Sequence, residues 1–350
     1  MVLVNNPGTW RAVYPPLRHA EWHGWTPTDL IFPFFLFIVG VAIPLALGRR
    51  VAGNEPCGAI VVKILRRSLI IFALGLLLHA IPDFDLANIR IPGVLQRIAV
   101  CYLVASLVFV WTSWRLQAGL AVALLVGYWA ALTLVPVPGF GPGHLDPQGN
   151  LAAFVDRTLL GPHIWRAARV YDPEGILSTL PAIATTLLGV LTGRWLRAGR
   201  RPEVTARGLF AAGIAGVGLG ELWGLWFPVN KALWTSSYAV LTAGAALLAL
   251  AGCYWLAEVR GWRTWTRPFV ILGVNALALF FLSSLVARLL IVIKVERAAG
   301  RSPLHALLFD HLFAPWATPV NGSLAFAIAY LGFWFALMWL LDRRGIRLTV

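Results

Sequence analysis

Long apolar runs separated by short polar stretches are the dominant pattern along this chain. Each run has about 17 to 25 residues, the length that a helix needs to cross the hydrocarbon core of a bilayer. Nine such runs can be traced, at residues 31–47, 64–81, 94–111, 116–135, 176–196, 208–225, 237–256, 269–293 and 324–341. The pattern predicts an all-α fold, a polytopic transmembrane helix bundle.

Residues 1–5 are apolar but too few to cross a bilayer. We interpret them as the stub of one more helix, which gives about ten helices with the first one truncated. We expect the true start codon to lie upstream of Met1. We also expect a single membrane domain over residues 1–350, with an outer loop at 6–29 and a long outer loop, rich in Gly and Pro, at 136–173.

Composition agrees with a membrane protein, since 59% of the residues are apolar and only 13% are charged. The formal net charge of +14 could indicate nucleic acid, but the basic residues lie in clusters between the apolar runs. Membrane topology explains the charge better, so we expect no nucleic-acid partner. The cysteines Cys57, Cys101 and Cys253 form no C-x-x-C pair, which argues against a disulfide framework and a zinc site.

Basic residues are concentrated in alternate loops, and cytoplasmic loops carry this excess. One set of loops holds 17 of the 29 basic residues and only four of the 15 acidic ones. These basic residues lie at 49–67, 115, 194–207, 260–267 and 343–347, and we call their side the basic face. The pattern predicts a cytoplasmic basic face and a cytoplasmic C-terminus. All seven histidines then fall at the opposite, outer face.

The loop before the second helix carries the clearest candidate chemistry, because it holds His19, Glu21, His23 and Asp29. Histidine is suited to proton transfer near neutral pH, although an interfacial histidine without a partner is an equally ordinary explanation. The spacing H-A-E-W-H differs from the H-E-x-x-H pattern of zinc enzymes. We therefore predict no metal.

Three further polar clusters are predicted at the outer face. Each has an ordinary explanation, such as arginines reaching the headgroups or acids at a helix N-terminus. The argument for a site is that all the clusters share one side of the membrane. Their residues are Arg90, Gln96 and Arg97, then Asp172 and Glu174 at the predicted start of a helix, then Asn230 and Lys231 at another predicted start.

With these segments in view, the chain resembles the family of heparan-α-glucosaminide N-acetyltransferase and its bacterial relatives of unknown substrate. The stretches that carry the resemblance are ordered along most of the chain. They are VNN at 4–6, HAEWHGWTPTDLIFPFFLFIVG at 19–40, RIPGVLQR at 90–97, YDPEGIL at 171–177, FPVNKALWTSSY at 227–238 and, more weakly, PFVILGVNAL at 268–277.

The resemblance implies an acyltransferase in the bacterial inner membrane that moves an acetyl group from acetyl-CoA to an amino sugar or glycan on the outer face. It implies catalytic roles for His19, which matches the family's functional histidine, and for Asn5, which matches a functional asparagine. His19 would act as general base or carry the acetyl group; Asn5 would orient His19 or bind the oxyanion. Substrate-binding candidates are Asp29, Arg90, Gln96, Arg97, Asp172, Glu174, Asn230 and Lys231.

Several points remain open from the residues alone. Acetyl-CoA is polyanionic, so we expect its nucleotide to dock against the basic face. The rival interpretation is a transporter or permease for N-acetylglucosamine-type sugars, which would use the same polar residues as a substrate path. The sequence does not decide whether the chain forms a homodimer in the lipid bilayer.

Overall fold

The computed structural model describes residues 1–53, 55–297 and 300–348. Within these residues the chain forms thirteen α-helices and one small antiparallel hairpin of strands β1 (Lys294–Arg297) and β2 (Gly300–Pro303). The helices are α1 (Val2–Asn5), α2 (Ile31–Ala52), α3 (Cys57–Ala80), α4 (Val94–Trp111), α5 (Trp114–Leu134), α6 (Leu151–Leu160), α7 (Thr179–Leu196), α8 (Pro202–Gly224), α9 (Ser236–Tyr254), α10 (Arg267–Val274), α11 (Ala276–Val292), α12 (Leu304–Leu312) and α13 (Pro319–Arg343).

The predicted all-α class is confirmed, and helices lie on all nine apolar runs. In the described part of the chain, five helices are long and apolar enough to cross a membrane. The count rises to six if α10 and α11, bent by 64° at Asn275, form one broken span. The expected number of about ten spans is therefore not confirmed. One reason is visible in α3, whose first half carries Lys63, Arg66 and Arg67.

Two predicted helix starts were wrong. Asp172 and Glu174 lie in a turn before α7, which begins only at Thr179. Asn230 and Lys231 likewise lie in a turn before α9, which begins at Ser236. Side-chain hydrogen bonds explain both delays, because side-chain oxygens accept from backbone N–H groups ahead of each helix. Asp156 Oδ1 accepts from the N–H of Ile176, 2.9 Å away, and Asn230 Oδ1 accepts from that of Leu233, 2.8 Å away.

The long outer loop contains a helix, α6, inside the segment whose glycines and prolines predict an irregular path. The side chain of Asn150 caps it by accepting a hydrogen bond from the N–H of Ala153 at 2.7 Å. Asparagine is among the preferred residues at this position. The helix carries Asp156 under the turn before α7.

The core of the bundle is formed by α2, α4, α7 and α9, with α3 packed on α4 and α8 packed on α9. Helices α2 and α7 approach each other at Gly40 and Gly189, where a Cβ on Gly40 would lie 2.0 Å from the carbonyl oxygen of Thr186. All four core helices run toward the basic face from the opposite end of the bundle. The loops that precede them therefore meet at one end of the bundle.

Candidate active site

His19 lies in the loop before α2, with Nδ1 2.6 Å from Oδ1 of Asp29. The side chain of Asp29 is only 1% exposed, whereas that of His19 is 42% exposed. The other oxygen, Oδ2, accepts from the N–H groups of Ala20 and Thr26, each at 3.0 Å. The carboxylate is therefore fixed in position. Because an ionised carboxylate only accepts, Nδ1 of His19 carries a proton, and in the neutral tautomer Nε2 is then the acceptor.

Lys231 joins this pair from the turn before α9. Its Nζ lies 3.1 Å from Oδ1 of Asp29 and 2.9 Å from Nδ1 of His19. The ammonium donates to Asp29, because Nδ1 already holds a proton. Burial lowers the pKa of Lys231, and the charge of Asp29 opposes that shift. Lys231 and His19 therefore share Oδ1 of Asp29, which ties the turn before α9 to the loop before α2.

Arg90 connects the loop before α4 to the turn before α7. Its Nε and Nη2 donate to the two oxygens of Asp172, at 2.9 and 2.6 Å, and Nη2 also donates to Glu174. Burial would lower the pKa of Arg90, but the two carboxylates outweigh it and raise that pKa above its ordinary value. The two-pronged geometry fixes both side chains.

Arg97 lies in the first turn of α4 and is only 2% exposed. Its Nη2 donates to the carbonyl oxygen of Gly175 at 3.2 Å and to the hydroxyl of Ser178. The guanidinium carbon lies 5.1 Å from the ring centroid of Trp234. Among the described residues, Nε and Nη1 of Arg97 have no hydrogen-bond partner. Arg97 therefore links three of the four predicted clusters.

Gln96 points to a different neighbour, since its Nε2 lies 3.4 Å from Nδ1 of His79. His79 in turn lies 2.7 Å from the carbonyl oxygen of Arg90. Gln96, His79, Arg90 and Arg288 line a cavity of about 210 Å³ beside the bundle core. Gln96 thus contacts His79 and makes no hydrogen bond to Asp172 or Glu174 within the described residues.

Asn230 is fully buried and holds the turn before α9. Its Oδ1 accepts from the N–H of Leu233, and its Nδ2 lies 3.5 Å from Nδ1 of His23. The ring of Trp22 packs edge-on against Tyr171, with 5.0 Å between centroids. With these contacts, all four predicted clusters lie together at one end of the bundle.

Asn5 lies elsewhere among the described residues. It is exposed at the end of α1 and lines a cavity of about 770 Å³ together with Arg288 and His305. One role considered for Asn5 was to orient His19. In the structure, Asp29 makes the hydrogen bond to Nδ1 of His19. A catalytic role for Asn5 stays a prediction.

Sequence reasoning missed Asp156, which is 1% exposed and lies under the turn that carries Asp172 and Glu174. A Cβ on Gly175 would lie 1.9 Å from its Oδ2, so only glycine fits against this carboxyl. Burial raises the pKa of Asp156 to about 6. The sequence offered only a weak signal for Asp156, namely an acidic residue after the apolar start of α6.

Comparisons with known proteins identify relatives of this chain. Residues 7–168 match a family described as Domain of unknown function (DUF5009). The chain is 30% identical over 342 residues to heparan-alpha-glucosaminide N-acetyltransferase from Homo sapiens, covering 80% of this chain and 50% of that protein. It is 29% identical over 336 residues to the protein of the same name from Mus musculus, with the same shares covered.

The chain spans about half the length of the curated relatives that it matches. The predicted resemblance is thereby confirmed, and this chain is a distant relative of the heparan-alpha-glucosaminide N-acetyltransferases.

Proposed function

We propose that the protein is a membrane acetyltransferase that moves an acetyl group from acetyl-CoA to an amine or hydroxyl of an amino sugar or glycan. The observation that carries the proposal is the pair of His19 and Asp29, 2.6 Å apart, with Nε2 of a half-exposed imidazole left free. A histidine held in this tautomer by a buried carboxylate is the arrangement that general-base catalysis requires.

In the proposed reaction, Nε2 of His19 takes a proton from the acceptor as its nitrogen or oxygen attacks the thioester carbonyl. The new bond to the acetyl carbon forms, the carbon–sulfur bond breaks, and the imidazolium returns its proton to the leaving thiolate. Asp29 stabilises the imidazolium while it exists. If the acetyl group instead passes through the histidine, Nε2 is the atom that carries it, because Nδ1 is occupied by Asp29.

We assign the binding of the acceptor sugar to the polar groups around His19 and Asp29. Glu174 is 12% exposed and fixed by Arg90, so its carboxylate is a rigid acceptor for sugar hydroxyl groups or an ammonium group. Arg97 donates a hydrogen bond to the turn before α7, and Asn230 accepts one within the turn before α9. Asn5 is retained as a candidate donor to the developing oxyanion.

The proposed orientation puts the acceptor site at the outer face and the acetyl-CoA supply at the basic face. The charge map supports this, because a cytoplasmic basic face attracts the phosphates of CoA. The location in a bacterial inner membrane with a cytoplasmic C-terminus belongs to the same proposal.

The rival permease has one observation in its favour, the break between α10 and α11 at Asn275, since broken helices recur in transporters. That break has another explanation here. The side-chain oxygen of Asn275 accepts a hydrogen bond from the N–H of Leu348, 2.8 Å away, and so ties the end of the described chain to the break. We therefore favour the enzyme.

The test is the release of free CoA by the purified protein in lipid, given acetyl-CoA and glucosamine and followed with a thiol reagent. The wild type should release CoA only when both compounds are present. His19→Ala should lower the rate by about 100- to 10,000-fold, the contribution of a general base. His23→Ala is the matched control, since it lies in the same loop and is predicted to retain activity.

Two outcomes would count against the proposal. Normal CoA release by His19→Ala, with His23→Ala inactive, would show that the proposal assigns the chemistry to the wrong histidine. Sugar exchange across a sealed vesicle, with no acetylated product in the wild type, would support the permease.

A further inference from the structure

An apolar cavity of about 540 Å³ lies between α5, α7, α8 and α9, away from the His19 site. Its floor is the tight contact of α8 with α9, where a Cβ on Gly216 would lie 2.8 Å from the Cα of Gly244. Helix α8 stands away from α5 and α7, which leaves the space open. The hydroxyl of Thr192, which also lines the cavity, is bonded to the carbonyl oxygen of Leu188 at 2.9 Å. No polar ligand group is needed to fill it.

This cavity has the shape of a groove. Trp223 lines the end away from the basic face, and its ring centroid lies 6.2 Å from that of Trp129. Its side is open to the surroundings of the bundle, because the lining side chains of Val122 and Leu219 are 60% and 54% exposed. Trp195 lies at the other end, near the basic face.

Positive charge surrounds the end of the groove at Trp195. The guanidinium carbon of Arg200 lies 3.8 Å from the ring centroid of Trp195, and Arg200 is exposed. Residues 194–207 contain five arginines and a single acid, Glu203, which lies 3.6 Å from Arg201 and offsets part of its charge. A predominantly apolar groove thus ends beside a cluster of net positive charge.

We propose that this groove binds one anionic phospholipid, with an acyl chain in the cavity and the phosphate on Arg200 and Arg201. Filling the void restores the dispersion contacts that its lining otherwise lacks. The arginines select an anionic headgroup, since each basic residue near a membrane surface attracts such lipids. A spanning helix of a second copy fits poorly, because a helix about 10 Å wide and about 30 Å long is far larger than a cavity of about 540 Å³.

The test uses the full chain in detergent, incubated with equimolar phosphatidylglycerol and phosphatidylcholine of identical acyl chains, and native mass spectrometry of the retained lipid. The wild type should retain one phosphatidylglycerol in preference to phosphatidylcholine. Arg200→Gln should lower this preference about fivefold, the contribution expected of one basic residue at a membrane surface. Arg260→Gln is the matched control, because Arg260 also stacks on a tryptophan, 4.5 Å from the ring of Trp255, but Trp255 does not line the groove as Trp195 does.

A second pair of variants tests the groove itself. Ala212 lines the cavity and is exposed on α8, so Ala212→Trp should fill the groove and abolish lipid retention. Ala211, its exposed neighbour, does not line the cavity, and Ala211→Trp should retain the lipid. Equal retention of both lipids by the wild type, unchanged preference in Arg200→Gln, or a dimer that Ala212→Trp dissociates would each overturn the proposal.

Discussion

Asp29 holds Nδ1 of His19 at 2.6 Å although both residues belong to one irregular loop. A short 3-10 helix, Pro27–Leu30, turns the chain back so that the carboxylate reaches the histidine. Thr26 and Asp29 form a capping box at its start, with each side chain bonded to the other's backbone. The carboxylate of Asp29 therefore both caps the 3-10 helix and orients the ring of His19.

The first prediction concerns Asp29→Asn. The amide keeps the size of the side chain, but it can present its own N–H to Nδ1 and so favour the wrong tautomer of His19. We expect the rate of CoA release to fall by about 100- to 10,000-fold. Glu21→Gln, which removes an exposed acid from the same loop, is the control. Near-normal turnover by Asp29→Asn would rule out the orienting role.

Much of the fold could be predicted because membrane-spanning helices are set by apolar length. Helix α4 occupies residues 94–111 as predicted, and α2 begins at the predicted Ile31. The starts of α7 and α9 could not be predicted in this way. They depend on Asp156 and Asn230 capturing backbone groups ahead of the helix, and such bonds require residues distant in the chain or a specific turn.

The candidate site was predictable as a set of residues but not as a set of contacts. The predicted topology alone puts four loops on one side of the membrane, so they were expected to lie near each other. Asp29 was expected to bind substrate, and only the folded loop places it on His19. The pairing of Arg90 with Asp172 joins residues 82 positions apart, and no local pattern specifies that.

The second prediction concerns the charge of Lys231. Replacing it by Met leaves the buried carboxylate of Asp29 without the ammonium group 3.1 Å from its Oδ1. The melting temperature of Lys231→Met should therefore fall. Lys231→Arg keeps the charge and should lose less stability. An unchanged melting temperature in Lys231→Met would contradict the role assigned to the pair of Lys231 and Asp29.

The third prediction uses the buried carboxyl of Asp156, whose pKa is raised to about 6 by burial. Its ordinary value is 3.8, so between these pH values the folded protein binds a proton that the unfolded chain has lost. The free energy of unfolding should therefore fall as the pH rises from about 4 to about 6. At about 1.4 kcal/mol per pKa unit, the loss is roughly 3 kcal/mol.

Asp156→Asn should remove this dependence, and the measurement is the melting temperature in detergent at several pH values. Asp146→Asn is the control with the opposite sign. A hydrogen bond from the N–H of Gly149 lowers the pKa of Asp146, so its stabilising effect is lost as the pH falls. A wild type and Asp156→Asn with parallel curves between pH 4 and pH 6 would show that Asp156 does not titrate there.

The last prediction separates the geometry of Arg90 from its charge. Arg90→Lys keeps a positive charge but cannot donate to both oxygens of Asp172 while also reaching Glu174. The side chain of Asp172 is fully buried, so an oxygen left without a donor costs about 1 to 3 kcal/mol. We expect a lower melting temperature and, because Glu174 loses its fixed position, a raised KM for the sugar with a smaller change in kcat.

Arg166→Lys supplies the comparison, because Arg166 also binds an aspartate, Asp85, at 2.9 Å, but both side chains are exposed. Exposed ion pairs contribute little to stability, so this variant should melt and turn over as the wild type does. If the two lysine variants behave alike, the fork between Arg90 and Asp172 does not fix the turn. If Arg90→Lys lowers kcat and leaves KM unchanged, the position of Glu174 matters for the reacting atoms rather than for holding the acceptor.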